Sequence, residues 1–213
     1  NISAAIANRT AGNNVFAYNS STRPVLTYKV DNNNVEYGVA ITGNGITYVS
    51  GLVGDDAINA IGTTGSASFA GYSVGDNAGT YNNSLSATQG SLSNPLGYNY
   101  IFNNGNLTVD KATLDVSVND VTREYGGANP TFTANYSGFK LSDDINDINQ
   151  QATLSSAITT NNDAGSYVDS IVAAGASDGN YDFNYNAGDI TINKADLNVA
   201  LVNNSPIRNV GEA

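Results

Sequence analysis

The stretch Glu124-Tyr125-Gly126 … Tyr136-Ser137-Gly138 … Asp143-Asp144 … Asp163-Ala164-Gly165-Ser166-Tyr167 … Gly179-Asn180-Tyr181 … Asp189-Ile190-Thr191-Ile192-Asn193-Lys194-Ala195 restates an earlier one. The earlier copy reads Glu36-Tyr37-Gly38 … Tyr48-Val49-Ser50-Gly51 … Asp55-Asp56 … Asn77-Ala78-Gly79-Thr80-Tyr81 … Gly97-Tyr98-Asn99 … Asn106-Leu107-Thr108-Val109-Asp110-Lys111-Ala112. The separation is 88 residues from Tyr37 to Tyr125 and from Asp56 to Asp144, 86 from Tyr81 to Tyr167 and 83 from Lys111 to Lys194. A period of this size is too long for a solenoid rung and suits a small domain with its own core. The chain therefore reads as 1–24, the end of an upstream segment; 25–111 and 112–195, two like modules; and 196–213, the start of a third.

Each module is small, so its core depends on well-placed Val, Ile, Leu, Tyr and Phe. The 213 residues hold no Cys, His, Trp or Met. No disulfide can staple a module, and thiolate or imidazole metal sites are excluded. Such a Cys-free, Asn-, Gly-, Ser- and Thr-rich chain suits a bacterial protein that is secreted unfolded and folds outside the cell. Only 13% of residues are charged and the net charge is −11. The bases (Arg9, Arg23, Lys29, Lys111, Arg123, Lys140, Lys194 and Arg208) are scattered rather than striped, which argues against nucleic acid as a partner. No apolar run is long enough for a transmembrane helix, so no direct membrane insertion is expected.

Alternation marks the strands. Leu114, Val116 and Val118 share one face, as do Leu26, Tyr28 and Val30. Thr131–Tyr136 reads as another strand. Tyr181–Tyr185, Asn186-Ala187-Gly188 and Asp189–Ile192 read as a β-hairpin, and Tyr98–Phe102, Asn103-Asn104-Gly105 and Asn106–Val109 as its copy. Residues 142–148 fit a single helical turn or a wide loop equally. The D-x-G-x-Y sequence from Asp163 to Tyr167 fits a tyrosine corner, and Asn77 to Tyr81 is its degraded copy. The expected fold class is all-β: tandem small β-sandwich modules, immunoglobulin-like, with a β-grasp-like sheet as the fallback.

This succession of motifs resembles the "mostly beta with glycine" (MBG) and YDG repeat modules of large bacterial adhesins of the filamentous-haemagglutinin-like, two-partner-secretion type. Residues 112–195 are similar to the first kind. Residues 25–111 are similar to the second, although they carry Glu-Tyr-Gly where that name implies Tyr-Asp-Gly. The resemblance implies an extracellular, β-rich stalk on the bacterial cell surface that presents adhesive activity in attachment and biofilm formation. It implies no catalytic residues.

The residues agree that catalysis is not to be expected. Without His, no base is available to activate the many Ser and Thr hydroxyls. Asp55-Asp56 and Asp143-Asp144 recur in both modules, and recurrence suits a turn better than an active site. Calcium would need six to eight oxygens. Asp143, Asp144 and Asp147, or Asp163 with Asp178, offer some, but without an EF-hand or nonapeptide pattern they read as turn formers. Tyr98, Tyr100, Tyr181 and Tyr185 could stack on sugars, yet a module without Trp needs them for its core. Asn-X-Ser/Thr sequons, among them Asn8, Asn19, Asn82, Asn106 and Asn135, arise readily in such a composition. Two functional readings follow: a stalk that spaces an adhesive domain from the cell, or modules that themselves grip an exopolysaccharide, a host glycan or another adhesin copy.

Overall fold

The predicted faces of the first strands determine where the cores lie. In the computed structural model, which describes residues 23–53, 58 and 62–200, Leu26, Tyr28 and Val30 are all buried, and so are Leu114, Val116 and Val118. The spans assigned to an upstream segment and to a third module fall largely on residues 1–22 and 201–213, outside the described residues. The chain forms two compact units. One runs through Leu114 and takes in Ser137–Gln151 and Ala176–Asn184; the other holds Asp115–Tyr136, Ala152–Gly175 and the residues from Tyr185 onward.

All regular structure among the described residues is strand. The first repeat contains β1 (Val25–Val30), β2 (Asn33–Glu36), β3 (Ile46–Ser50), β4 (Ser68–Ala70), β5 (Gly79–Thr88), β6 (Asn99–Asn103) and β7 (Gly105–Asp110). The second contains β8 (Ala112–Val118), β9 (Val121–Glu124), β10 (Ala134–Ser137), β11 (Thr153–Ser156), β12 (Gly165–Ala174), β13 (Tyr181–Asn186) and β14 (Gly188–Asn193). The sheet orders are β3-β1-β6 with β2-β7-β5-β4, and β10-β8-β13 with β11-β12-β14-β9. Raising each label of the first pair by seven gives the second pair, so the repeated sequence encodes a repeated topology. The all-β, sandwich-like class expected from the sequence is the one observed.

The two expected hairpins do not form. β6 lies in one sheet, parallel to β1, while β7 lies in the other, parallel to β2. The chain passes between sheets at Asn104 without reversing. β1 and β2 make the same passage near Asp31, so two segments cross together. Gly105 explains why the turn reading failed. A three-residue hairpin turn closing on Gly needs that Gly at positive φ, and neither Gly105 nor Gly188 has it. Their lack of a side chain serves close approach instead. A Cβ on Gly105 would lie 2.5 Å from the Val30 carbonyl oxygen and 2.6 Å from that of Asp31. At Gly188 the oxygens of Val118 and Asn119 would be 3.0 Å away.

The long strands β5 and β12 each carry a bulge, where the register shifts between Tyr81 and Leu85 and between Tyr167 and Ile171. Asn83 and Asp169 occupy it in the left-handed region, at φ 52° and 51°. The Asn83 amide donates to Asn106 Oδ1 at 2.9 Å and the Asp169 amide to Asp189 Oδ1 at 2.8 Å. Asn and Asp tolerate this backbone better than other side chains, and the bulge gives their amides a partner outside the ladder. Below it, Leu85 and Leu107 in one repeat, and Ile171 and Ile190 in the other, are buried.

Residues 142–148 form a wide loop rather than a helix. It is built from turns in which the Asp143 amide bonds the Lys140 carbonyl and the Asp147 amide that of Asp144.

Candidate functional site

The recurrent Glu-Tyr-Gly triplet follows the short strands β2 and β9. In the first repeat the Tyr37 amide donates to the Asp110 carbonyl at 2.8 Å, extending the β2–β7 ladder by one residue. Gly38, at φ 77°, then turns the chain, and the Val39 amide closes on Glu36 O at 3.0 Å. The strand end and the turn together fix the direction in which Tyr37 projects.

Tyr37 meets the segments 137–151 and 176–184, the second of which runs into β13 and both of which belong to the same compact unit. Its hydroxyl donates to Asp143 Oδ2 at 3.1 Å, and the Tyr181 hydroxyl donates to the same oxygen at 2.7 Å. The two rings pack edge-to-face, 5.6 Å apart at 81°. Phe139 packs edge-to-face on Tyr181 from 5.9 Å, and the Lys140 amide donates to the Tyr181 hydroxyl at 2.8 Å. Edge-to-face pairs of this kind add about 0.5–1.5 kcal/mol each beyond buried area. Burial, reinforced for both by the Asp143 carboxylate, raises the phenol pKa of Tyr37 and Tyr181. Both therefore stay protonated donors. A Glu36–Lys140 ion pair at 2.6 Å closes one side; being half exposed, it adds at most about 1 kcal/mol.

A second set of bonds surrounds Asn180. Its carbonyl accepts the Ala112 amide at 2.9 Å, and its side-chain oxygen accepts the Ala78 amide at 2.9 Å. Its side-chain nitrogen donates to Asn77 Oδ1 at 3.1 Å. Lys111, the single residue between β7 and β8, donates to the Asp178 carbonyl at 2.7 Å and lies 3.7 Å from Asp182. Beside it is an open cleft of about 510 Å³ whose walls include Ala78, Thr80, Val109, Lys111 and Asp182. The arrangement holds chain segments together. Both phenols share one oxygen of the Asp143 carboxylate.

Of the acidic residues read as turn formers, Asp144, Asp147 and Asp178 accept nearby backbone amides, whereas the Asp143 side chain accepts the two tyrosine hydroxyls instead. Asp144 Oδ1 accepts the Asn146 amide and Asp147 Oδ2 the Asp144 amide, both at 2.7 Å. Asp178 accepts the amides of Asn180 and Asn149. Among the described residues no three acidic side chains converge on a point where a cation would sit. Asp55 and Asp56 lie outside the described residues. Both tyrosine corners are present: Tyr81 donates to the Asn77 carbonyl at 2.7 Å and Tyr167 to that of Asp163 at 2.9 Å. The aromatic rows divide. Tyr98, Tyr100 and Phe102 pack with Leu26 and Tyr28 in the first core. In the second repeat Tyr181 is buried, while Tyr185, further along its strand, is exposed.

Arg123 stands outside every expectation from the sequence. It is buried, and its guanidinium donates to Asn129 Oδ1 at 2.8 Å, to the Glu124 carbonyl at 3.1 Å and to the Thr159 carbonyl. The equivalent residue 88 positions earlier, Val35, is also buried. An apolar residue there in the first repeat was the available signal that this site is interior.

Residues 114–191, which contain Tyr125-Gly126-Gly127, match the family model of the MBG domain, YGX type. No curated protein and no solved structure matches the chain.

Proposed function

We propose that the chain is a spacer segment of a bacterial surface adhesin, a tandem of β-rich repeats that presents adhesive activity without chemistry of its own. The observation that carries this reading is the repeat itself: one topology occurs twice and a single residue, Lys111, separates the two, with the buried rings of Tyr37 and Tyr181 sharing the half-buried Asp143 beside it. A one-residue connection without a Gly/Ser-rich tract gives a linker of little reach, which suits a spacer. The match of residues 114–191 to the MBG domain model supports this reading, since it suggests a repeat module of surface-associated proteins. The use of the loop aspartates within turns, and of Tyr98 and Tyr100 within the core, supports spacing over gripping. Secretion by the two-partner route, cell-surface location and a role in biofilm are parts of the same proposal.

The test is a binding panel of bacterial exopolysaccharides and host glycans, run with and without calcium. A spacer stays silent across it. Saturable binding by this chain would overturn the reading and make the repeats the gripping surface.

A further inference from the structure

The junction has one half-formed counterpart. Tyr125 is held as Tyr37 is: its amide donates to the Asn193 carbonyl at 2.9 Å, Gly126 turns the chain at φ 78°, and the Gly127 amide closes on Glu124 O at 3.1 Å. The surroundings differ. Tyr37 is 5% exposed and Tyr125 49%. A Cβ on Gly38 would meet Lys140 Cβ at 2.7 Å, whereas one on Gly126 would meet nothing within 4 Å. The same projection is built twice and covered once.

The chain that leaves this face says what covers it. Lys194-Ala195-Asp196-Leu197-Asn198-Val199 follows β14 as Lys111-Ala112-Thr113-Leu114-Asp115-Val116 follows β7. In the earlier segment Ala112, Leu114 and Val116 are wholly buried. In the later one Leu197 is 88% and Val199 69% exposed. An apolar residue at every second position is the signature of a strand with one face in a core, and exposing that face forfeits the burial that stabilises it.

We propose that the Glu124-Tyr125-Gly126 face is the docking surface for a further repeat of this same kind, with 195–199 as that repeat's first strand. The incoming repeat presents an aspartate and a tyrosine placed as Asp143 and Tyr181 are, and the Tyr125 hydroxyl donates to that aspartate. Around it the charges fit. Glu124 stands where Glu36 pairs with Lys140, Lys194 where Lys111 reaches a loop carbonyl, and Asp163 supplies the acceptor oxygen that Asn77 gives to Asn180. The first repeat has Gly97-Tyr98 where the second has Gly179-Asn180-Tyr181, without the intervening Asn. The face therefore selects a repeat of the second kind. This inference deepens the spacer reading and rests on it.

The chain has no Trp, so Tyr125→Trp supplies a lone indole reporter. It is placed in the present chain and in one whose residues after Lys194 are replaced by a second copy of 112–194. Tyr37→Trp in the present chain gives the value for a covered site. Docking predicts blue-shifted, quencher-protected emission from position 125 only in the extended chain. With Tyr125 left intact, it also predicts a several-fold slower nitration of that ring, read by peptide mass spectrometry. Nitration speeds up again when the Asp of the added copy at the place of Asp143 becomes Ala. A folded added copy with Tyr125 nitrated as fast as before sinks the docking but leaves the spacer reading standing. An added copy that fails to fold, shown by circular dichroism, sinks both. Protection already present in the unextended chain, rising with its concentration, would make the occupant a second molecule and overturn the proposal.

Discussion

The Tyr37 hydroxyl and the Asp143 carboxylate meet at 3.1 Å across 106 residues of sequence. Asp143 accepts from Tyr181 through the same oxygen, so one acidic side chain satisfies two phenols that are themselves buried. Removing it strands both donors. Asp143→Ala is expected to cost about 1–3 kcal/mol, read as a lowered urea midpoint. Tyr37→Phe removes one donor and leaves the carboxylate still bonded, so it should cost less. A double-mutant cycle on the pair should give a coupling energy clearly different from zero. Strict additivity would mean that the contact contributes nothing.

Alkali should loosen the fold. Tyr28, Tyr37 and Tyr181 all hold their protons more tightly than free tyrosine, chiefly because burial disfavours the phenolate. Below about pH 10 the folded and unfolded chains both keep these protons and the full stability is present. Above it the unfolded chain releases them first, so stability falls as pH rises toward the higher folded values. Urea midpoints measured on the alkaline side should decline, and less steeply in Tyr181→Phe. A flat profile would contradict the burial.

Arg123 offers a sharper test of the second repeat. Arg123→Ala leaves Asn129 and the Thr159 carbonyl without their charged donor and is expected to destabilise by about 2–4 kcal/mol. Arg123→Lys should recover little, because an ammonium cannot reproduce the planar fork that reaches three acceptors. Full rescue by Lys, seen in thermal melts, would show that the charge alone matters.

Two pairs of glycines should rank predictably. Gly126→Ala meets only the strain of its positive φ, about 1–2 kcal/mol, while Gly38→Ala meets that strain and the Lys140 side chain as well. At the sheet crossings Gly105→Ala forces a methyl group against two carbonyl oxygens and should cost about 1–3 kcal/mol, more than Gly188→Ala, where the approach is looser. Denaturant titration of the four variants checks both orders, and equal losses within either pair would discount the corresponding contact.

The sequence carried the faces of strands but not their partners. A period of two put Leu114, Val116 and Val118 on one side, and burial follows that side because nothing else in a small module can fill its core. The D-x-G-x-Y signal located both corners because that bond spans four residues and is set by local geometry. Pairing is a different matter. Asn-Asn-Gly before Asn106 carries the same residues whether the chain reverses or only crosses to the next sheet. The backbone oxygens of Val30 and Asp31, more than 70 residues away, decide it. The Tyr37–Asp143 contact escaped for the same reason: the recurrence of Glu-Tyr-Gly and Asp-Asp announced that each mattered, without saying that one meets the other. Arg123 was one of eight scattered bases, and only the alignment with Val35 hinted at its burial.

The crossing of segments between sheets also decides how a repeat responds to being pulled. Val25 begins β1 and Asp110 ends β7. The entering pair, β1 and β2, lies parallel to the leaving pair, β6 and β7, from Val25 opposite Asn99 to Glu36 opposite Asp110. Tension applied at these two ends draws the pairs past each other along their length. Inter-strand hydrogen bonds run across that direction, so they are loaded together in shear instead of being peeled open one at a time. Arg123 and Glu124 opposite Ile192 and Asn193 repeat the arrangement in the second copy. A repeat pulled in this way resists force first at its terminal strands, whose buried residues Leu26, Val30, Leu107 and Val109 tie that resistance to the core.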